Sequence, residues 1–287
     1  MPFTLIKGSF LPSFGDPDGE SVRFVPDDPG PLFRLTRQGR GPKVNRENGS
    51  IQLRYEAIDT LEKAAVQPFA NDALEANLAL IGSGPDRRSA PGHILANRLD
   101  PNGRPIAFVF AGDASEPDGS SVWLDVTGRR GVGGRRDTGG LTESVNFEML
   151  ADGQAYPMFY DTLYLDLRDA LVEVSKAAKA AAAGHARETY LFKHDATMSG
   201  ARWTGDASTL APIFPKLWRR IEKAVRDPDY FTVAEPLRRV PDYIDREKDD
   251  RVLVMPLNDV TGFENVVEAT ADTIRLRYEP HELVFQP

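Results

Sequence analysis

The sequence predicts a protein of the α+β class, with strands in its first half and helices in much of its second half. Short β-prone runs separated by turn residues extend as far as Val126, and apolar residues later recur at helical spacing. We find no internal repeat and no heptad run. Strands followed by helices, instead of strands alternating with them, favour α+β over a doubly wound parallel sheet.

The strands are predicted from β-prone runs bounded by Gly, Pro, Asn and Asp. In residues 51–58, Ile51, Leu53, Tyr55 and Ala57 would share one face of a strand. The dipeptide Asn102-Gly103 predicts the turn of a hairpin. The predicted strands are residues 4–8, 21–25, 51–58, 93–99, 104–111 and 122–126.

A long basic insertion, residues 27–50, separates the second predicted strand from the third. It contains Gly and Pro, which favour irregular structure over a helix. Its cations are Arg34, Arg37, Arg40, Lys43 and Arg46.

The helices are predicted where apolar residues recur at i, i+3 and i+4. Gly82 suits the end of the first helix, and Leu163, Leu167 and Leu171 form a stripe on the third. The predicted helices are residues 71–82, 144–151, 163–183 and 211–225, with further strands at 252–255 and 273–277. We expect residues 1–196 to form a five-stranded barrel of the oligonucleotide-binding (OB) type with flanking helices, and residues 197–287 an α/β accessory extension.

Composition narrows the classes of protein and of site. The chain has 287 residues, no cysteine and a net charge of −8. The lack of cysteine excludes disulfides, thiolate metal sites and a cysteine nucleophile. We expect no signal peptide and no membrane span, and so a cytoplasmic protein. The acidic charge disfavours nucleic-acid binding by the whole surface, but it is compatible with a local basic groove.

One short segment carries the residue types that phosphodiester hydrolysis needs. Asp59 and Glu62 follow a predicted strand that also carries Arg54. Carboxylates bind hard cations and move protons, whereas arginines hold phosphate oxygens. Taken singly, each residue also fits a structural role without catalysis. The carboxylates fit a helix start, Arg54 a solvated strand position and Arg104 a surface turn.

Five blocks in order resemble the staphylococcal-nuclease family over about residues 4–195. They are Thr4-Leu5-Ile6-Lys7, Asp18-Gly19-Glu20-Ser21-Val22, the segment from Leu53 to Glu62, the segment from Asp100 to Phe108, and the segment from Val145 to Tyr156. The most specific pattern is an arginine, four residues, and Asp-Thr-x-Glu. It is followed by Asp-x-x-Gly-Arg and by Val-Asn-x-x-Met-x-x-x-Gly-x-Ala.

The resemblance implies a calcium-dependent nuclease, with Mg²⁺ or Mn²⁺ as alternatives. Asp59 and the carbonyl of Thr60 would ligate the metal, and Glu20 stands where the family has a metal-binding aspartate. Glu62 would be the general base, and Arg54 and Arg104 would hold the scissile phosphate. The substrate would be DNA or RNA.

The chain also departs from the family pattern, and some of its residues admit two interpretations. Glu20 is one methylene longer than aspartate, which would shift the metal or its preference. Pro101 and Asn102 replace a lysine and a tyrosine. Tyr156 and Tyr160 would stack on a base or pack at the barrel edge. Arg129 and Arg130, beside a glycine-rich segment predicted to be mobile, would contact substrate or be solvated.

The first interpretation of the sequence is therefore a metal-dependent nuclease, a hydrolase of the endonuclease type. A barrel with little or no activity that binds nucleic acid or a protein is the alternative. A third interpretation has the C-terminal region docking on a protein partner. A freely active cytoplasmic nuclease would be harmful, so control by a partner, low activity or restricted metal access is expected under the first interpretation.

Overall fold

The computed structural model describes residues 2–37, 39–83, 88–131, 136–137, 139–247 and 250–286. The helices are α1 Phe69–Leu80, α2 Val145–Ala151, α3 Leu165–Ala180, α4 Leu191–His194, α5 Pro215–Ala224 and α6 Val240–Glu247. The first strands are β1 Phe3–Phe10, β2 Arg23–Pro26, β3 Thr36–Arg37, β4 Ile51–Gln52, β5 Arg54–Tyr55, β6 Ile58–Asp59, β7 Ala90–Leu99, β8 Pro105–Ala111 and β9 Ser121–Leu124. The remaining strands are β10 Arg129–Gly131, β11 Arg136–Asp137, β12 Tyr156–Pro157, β13 Phe159–Tyr160, β14 Ala201–Arg202, β15 Arg251–Val254, β16 Asp259–Gly262, β17 Val267–Ala269, β18 Thr273–Leu276 and β19 Leu283–Gln286. The predicted α+β class is confirmed.

The N-terminal strands form a nearly closed, barrel-like sheet. Strand β1 pairs antiparallel with β2 and β7, and β7 pairs antiparallel with β8. Strand β2 pairs with β4, while β5 pairs parallel with β8. Because only Leu53 separates β4 from β5, the sheet returns to its start.

Apolar side chains from one face of each strand fill the interior of this barrel. Leu5, Phe24, Leu53, Leu95 and Phe108 are fully buried. Residues that alternate in a strand point to opposite faces, so burying one face leaves the other for polar groups. Removal of these apolar side chains from water is the main favourable contribution to folding the barrel.

Two glycines lie opposite each other where β1, β2 and β7 pass closely. Gly8 and Gly92 are cross-strand partners. A Cβ atom on Gly92 would lie 2.1 Å from the Phe10 ring, and one on Gly8 would lie 2.1 Å from the Val25 carbonyl oxygen. The close approach of the strands therefore requires glycine at both positions.

The predicted strand at residues 51–58 is broken into three pieces. Ala57 has a φ of 70°, in the left-handed region, and the chain turns there out of the barrel sheet. Its carbonyl accepts a hydrogen bond from the Met158 N–H at 2.9 Å, and β6 then pairs with β12 instead of the barrel. The turn leaves Asp59 at the barrel rim.

Further differences from prediction lie at element ends, in the glycine-rich segment and in short elements that the sequence analysis did not predict, among them β3, α4 and α6. Helix α5 begins at Pro215, where a fixed φ suits the first helical turn. The segment predicted to be mobile contains β10 and β11, and residues 132–135 and 138 within it lie outside the described residues. Within the described part of the chain, no helix is long and apolar enough to cross a membrane.

The C-terminal region packs directly against the barrel segment that carries the Asp-Thr-x-Glu motif. Strand β19 pairs parallel with β13, which follows β12. A second apolar core joins Leu61, Phe69 and Tyr156 to Phe214 and Phe285. This core therefore contains residues from both sides of the predicted boundary at 196/197.

Candidate active site

A tight turn carries two carboxylates of the candidate site, those of Asp18 and Glu20. The Asp18 side chain accepts a hydrogen bond from the Glu20 N–H at 2.9 Å. Buried Asn77 of α1 donates to the Asp18 carbonyl at 2.7 Å, and the Tyr55 hydroxyl donates to Asn77 at 2.9 Å. The turn is thereby fixed to both the helix and the barrel.

The turn lies directly against the Asp-Thr-x-Glu segment. A Cβ atom on Gly19 would lie 2.7 Å from the Thr60 methyl group and 2.8 Å from the Ala73 Cβ, so only glycine allows this approach. The Thr60 N–H donates to Glu20 Oε2 at 2.9 Å. Glu20 and Thr60, which the family resemblance assigns to metal binding, are therefore adjacent in the fold.

The pKa of the Glu20 carboxyl is raised well above its usual range. Loss of water around the group is the main cause, and the carboxylates of Asp59 and Asp18 add to it. Arg219 and Arg54 act in the opposite direction. Burial also raises the pKa of Asp18. The turn and the strand end thus place carboxylates close enough to repel one another.

Arg219 of α5 occupies the space between the two carboxylates of the Asp-Thr-x-Glu motif. Its Nη1 donates to Asp59 Oδ1 at 2.9 Å and its Nη2 to Asp59 Oδ2 at 2.8 Å. Nη1 also donates to Glu62 Oε1 at 2.9 Å. Although burial lowers the pKa of Arg219, Asp59 raises it well above its ordinary value overall. This fork is the strong bidentate form of an arginine–carboxylate pair.

Helix α5 is held so that Arg219 reaches this position. Leu217 and Ile221 are fully buried on its inner face. The Trp218 indole donates to the Ala207 carbonyl at 2.9 Å. On the same helix, Lys216 lies 2.7 Å from Asp250, which also pairs with Arg220. Packing and ion pairs therefore fix both the rotation and the position of the helix.

The carboxylates border a cleft of about 450 Å³ between the barrel and α5. Within the residues that the structure describes, no group of three or more His, Cys, Asp or Glu is arranged to hold a metal ion. The donor set nevertheless suits a hard cation, because it consists of carboxylate oxygens. The guanidinium of Arg219 stands among them as the cation in this conformation.

Arg54 lies at the edge of the same cluster. Its Nη2 donates to the Tyr160 hydroxyl at 3.0 Å, and its guanidinium lies 5.3 Å from the centre of the Tyr160 ring. Burial lowers its pKa, but Tyr160, Glu20 and Asp59 raise it overall. Arg54 and Tyr160 are thus paired with each other, and Arg54 lies near enough to Glu20 and Asp59 to interact electrostatically with both.

Arg104 lies elsewhere in the structure. Its Nε donates to Asp100 Oδ2 at 2.7 Å, and it lines a separate cleft with Asn102. None of its described contacts is with Arg54 or Asp59. The expected pairing of the two arginines on one phosphate is therefore not formed in this conformation.

Tyr156 and Arg129 are enclosed by protein, so the predicted substrate contacts do not fit their placement. Tyr156 is 1% exposed, and its hydroxyl donates to Asp195 at 2.9 Å. Arg129 is 4% exposed and pairs with Glu116 at 2.6 Å. Arg130 is exposed and lies 3.1 Å from Asp125.

His93 completes the network around Arg129. Its Nδ1 is 2.9 Å from the Gly112 carbonyl, and its Nε2 is 2.7 Å from Arg129 Nη1. Because the arginine can only donate, Nε2 accepts and Nδ1 carries the proton. Burial, together with the positive charge of Arg129, lowers the pKa of His93 to about 4.

Sequence reasoning missed Arg219, Asn77 and the role of Asp18. The helix that carries Arg219 is visible as an amphipathic, basic segment, but nothing local distinguishes Arg219 from the neighbouring Arg220. Asp18 was visible as part of a turn. The sequence did not predict a contact for Asn77, because a polar residue on the inner face of a helix only interrupts the apolar stripe.

No model of a known protein family matches the chain, and no curated protein matches its sequence.

Proposed function

We propose that this protein is a metal-dependent nuclease whose catalytic cleft is closed by Arg219 in the conformation described. One observation carries the proposal: the carboxylates of Asp18, Glu20 and Glu62, from two distant segments, border one cleft, and Glu20 interacts electrostatically with Asp59 and Arg54. Groups of this kind with perturbed pKa values cluster at functional sites, although structural ion pairs can also perturb them.

The topology supports the OB-type barrel that the sequence predicts. Within the larger sheet, β1 pairs with β2 and β7, β2 with β4, and β8 with β7 and, in parallel, with β5, a ring that would suit a five-stranded Greek-key barrel. We infer that the site lies at the rim of such a barrel, where β6 leaves it.

Each residue has a role that its placement allows. Glu62, 41% exposed at its side chain, is the carboxylate that can meet a water molecule and accept its proton. Arg54 offers a fork of donors to the non-bridging phosphate oxygens and stabilises the charge that develops on them. Tyr160 holds Arg54 in place through their 3.0 Å hydrogen bond.

Asp59, Glu20 and the Thr60 carbonyl would hold the metal ion, most suitably calcium. When bound, a divalent ion there would polarise the phosphate and offset its negative charge. Since the guanidinium of Arg219 uses both Asp59 oxygens, the metal and Arg219 compete for Asp59.

The same ion pair also favours a second candidate function, an inactive barrel that binds nucleic acid or protein. Arg219 neutralises Asp59 and Glu62 with three hydrogen bonds of 2.8–2.9 Å, as a permanent structural pair would. In that case, no release of α5 would create a metal site.

Cleavage assays with the full chain separate the two functions. Plasmid DNA and RNA are incubated with the wild type, Arg219→Ala, and Arg219→Ala combined with Glu62→Gln, in EDTA, Ca²⁺, Mg²⁺ or Mn²⁺. A nuclease predicts cation-dependent cleavage that increases in Arg219→Ala and is lost when Glu62→Gln is added. Glu222→Gln is the matched control, because Glu222 borders the same cleft but pairs with Arg226. Absence of cleavage by Arg219→Ala under every cation would contradict the nuclease and leave the binding barrel.

A further inference from the structure

A second cleft, of about 440 Å³, is lined mostly by cations and amides, with Val44 and Ile51 as its apolar residues. Its basic residues are Arg23, Arg40, Lys43 and Arg104, and its amides are Asn45, Gln52 and Asn102. Two of the cations belong to the 27–50 insertion. The sequence marks this insertion as basic without indicating a function for it.

Most of these cations have no acidic partner. Across the described residues, Arg23, Arg40 and Lys43 form no salt bridge, whereas Arg104 pairs with Asp100 at 2.7 Å. The chain as a whole carries a net charge of −8, so carboxylates are plentiful. Cations grouped without carboxylates on an acidic protein create a local positive potential that attracts an anion.

Arg23 is held in place although its charge is unpaired. Its guanidinium lies 5.7 Å from the centre of the Phe14 ring, and its Nε is buried without a hydrogen-bond partner. A buried donor without a partner is costly and calls for an explanation. Arg23 borders the cleft, where a bound anion would neutralise its unpaired charge.

The insertion forms an ordered wall of the cleft. The Lys43 N–H donates to the Gly103 carbonyl at 3.1 Å, which ties the insertion to the turn between β7 and β8. A Cβ atom on Gly103 would lie 2.3 Å from the Gly41 carbonyl oxygen, so the two backbones are in close contact. Strand β3 also pairs parallel with the end of β7. The cations near this wall are therefore presented by a defined backbone.

The cleft connects to the candidate active site along one strand segment. Gln52 lines the cleft, and Arg54 lies two residues later on the same outward-facing side, about 7 Å away along the strand. Arg54 in turn interacts electrostatically with Glu20 and Asp59. An extended anion bound in the cleft would thus pass towards the carboxylates.

We propose that this basic cleft binds the phosphate backbone of a single nucleic-acid strand and guides it to the catalytic cleft. Unpaired cations would contact the phosphates, and the neighbouring amides offer hydrogen bonds to phosphate oxygens or base edges. A concave site with amides among its cations suits a single strand better than a flat lipid surface. The identity of the occupant rests on the proposed function, whereas the binding itself does not depend on catalysis.

The test measures binding in EDTA, where a metal-dependent enzyme does not cleave. Fluorescence anisotropy follows a labelled oligodeoxythymidylate and the same strand with neutral methylphosphonate linkages, across a range of salt concentrations. The proteins are the wild type, Arg40→Ala with Lys43→Ala, and Arg277→Ala as a matched control. Arg277 is exposed and forms no salt bridge with a described residue. Arg40 and Lys43 are also exposed, so the double variant should keep the melting temperature of the wild type.

We expect the double variant to bind the phosphodiester strand roughly tenfold or more weakly, with a salt slope lower by about 0.7 for each lost phosphate contact. Arg277→Ala should bind like the wild type, and the methylphosphonate strand should bind weakly to every protein. Equal binding by the double variant and the wild type would overturn the proposal. Binding to anionic vesicles that the double variant loses, without binding to the oligonucleotide, would overturn it as well. Charge-dependent oligonucleotide binding by a protein that never cleaves would retain the cleft and reject the nuclease.

Discussion

Replacing Arg219 with alanine should convert the closed carboxylate cluster into a cation site. The change removes one hydrogen bond to each Asp59 oxygen and one to Glu62. Asp59, 3% exposed, would then be a buried carboxylate without its cation. Breaking a buried ion pair by removing one partner costs about 3–5 kcal/mol. Since the Arg219 side chain is 33% exposed, water compensates in part, and we expect a loss of about 3 kcal/mol.

The same free energy sets the expected gain in metal affinity. In the wild type, calcium must displace a guanidinium that stabilises the fold by about 3 kcal/mol, so its apparent affinity is lower by roughly a hundredfold. In Arg219→Ala this competition is absent. Calcium at a hundred times its Kd would then stabilise the variant by about 2.7 kcal/mol and restore most of the lost stability.

Thermal unfolding with and without calcium, together with calorimetric titration, measures both effects. Arg220→Ala is the matched control, because Arg220 is also a partly buried, ion-paired arginine of α5 but pairs with Asp250, away from the cleft. It should be destabilised without any calcium-dependent recovery. If calcium raised the melting temperature of Arg219→Ala no more than that of Arg220→Ala, the cluster would not be a cation site and our reasoning would be refuted.

The remaining predictions concern the roles of single residues. In the Arg219→Ala background, Glu62→Gln should lower the cleavage rate by roughly 10²–10⁴-fold, the range for loss of a general base, with little change in melting temperature. Arg54→Lys should also lower the rate, because lysine cannot form the bidentate contact with phosphate. Glu20→Asp should increase calcium-supported cleavage, since it restores the aspartate found at this position in the nuclease family that the sequence resembles. The low folded-state pKa of His93, about 4 against 6.5, stabilises the fold above pH 6.5, and this stability of about 3 kcal/mol is lost as pH falls towards 4.

Each of these predictions has its own control. Rates of the Glu62 and Arg54 variants are compared with that of Glu222→Gln, and a wild-type rate in either variant would remove that residue from the mechanism. For Glu20, cleavage by Glu20→Asp and Glu20→Ala is compared across calcium, magnesium and manganese, and unchanged profiles in both would exclude a metal role. For His93, denaturant unfolding is followed between pH 7 and 4. His93→Gln should show a flatter profile there, and equal slopes would contradict the assignment of the neutral histidine.

The sequence was sufficient for features that depend on local patterns. Alternation in the segment from Ile51 to Ala57 predicted the buried face correctly, and all of Ile51, Leu53, Tyr55 and Ala57 are buried. The same alternation could not show that the strand breaks at Ala57, because the break depends on a hydrogen bond from Met158, far along the chain. Local pattern fixes which residues are buried, whereas strand partners depend on tertiary contacts.

The site residues were predictable to the extent that they are close in sequence. Asp59, Thr60, Glu62 and Arg54 lie within nine positions, so a motif could represent them together. Arg219 is 160 residues from Asp59, and no local signal connects the two. Likewise, Arg129 was predicted to contact substrate or to be solvated, because its partner Glu116 is brought to it only by the pairing of β9 with β10 and the path of the chain before β9.

The carboxylate cluster contains Glu20 in addition to the two carboxylates that pair with Arg219, and this argues against a purely structural role for Arg219. The hydrogen bonds of the Arg219 guanidinium in this cluster all go to Asp59 and Glu62. Burial nevertheless raises the pKa of Glu20 well above its usual range, and the carboxylates of Asp59 and Asp18 add to this rise even with Arg219 and Arg54 present. An ion pair that served stability alone would gain from an apolar residue at position 20, because a buried carboxylate without sufficient positive charge is costly. A divalent cation carries twice the charge of a guanidinium and would satisfy Glu20 and Asp59 together, which is why we propose a metal site that α5 closes instead of a salt bridge that only holds α5.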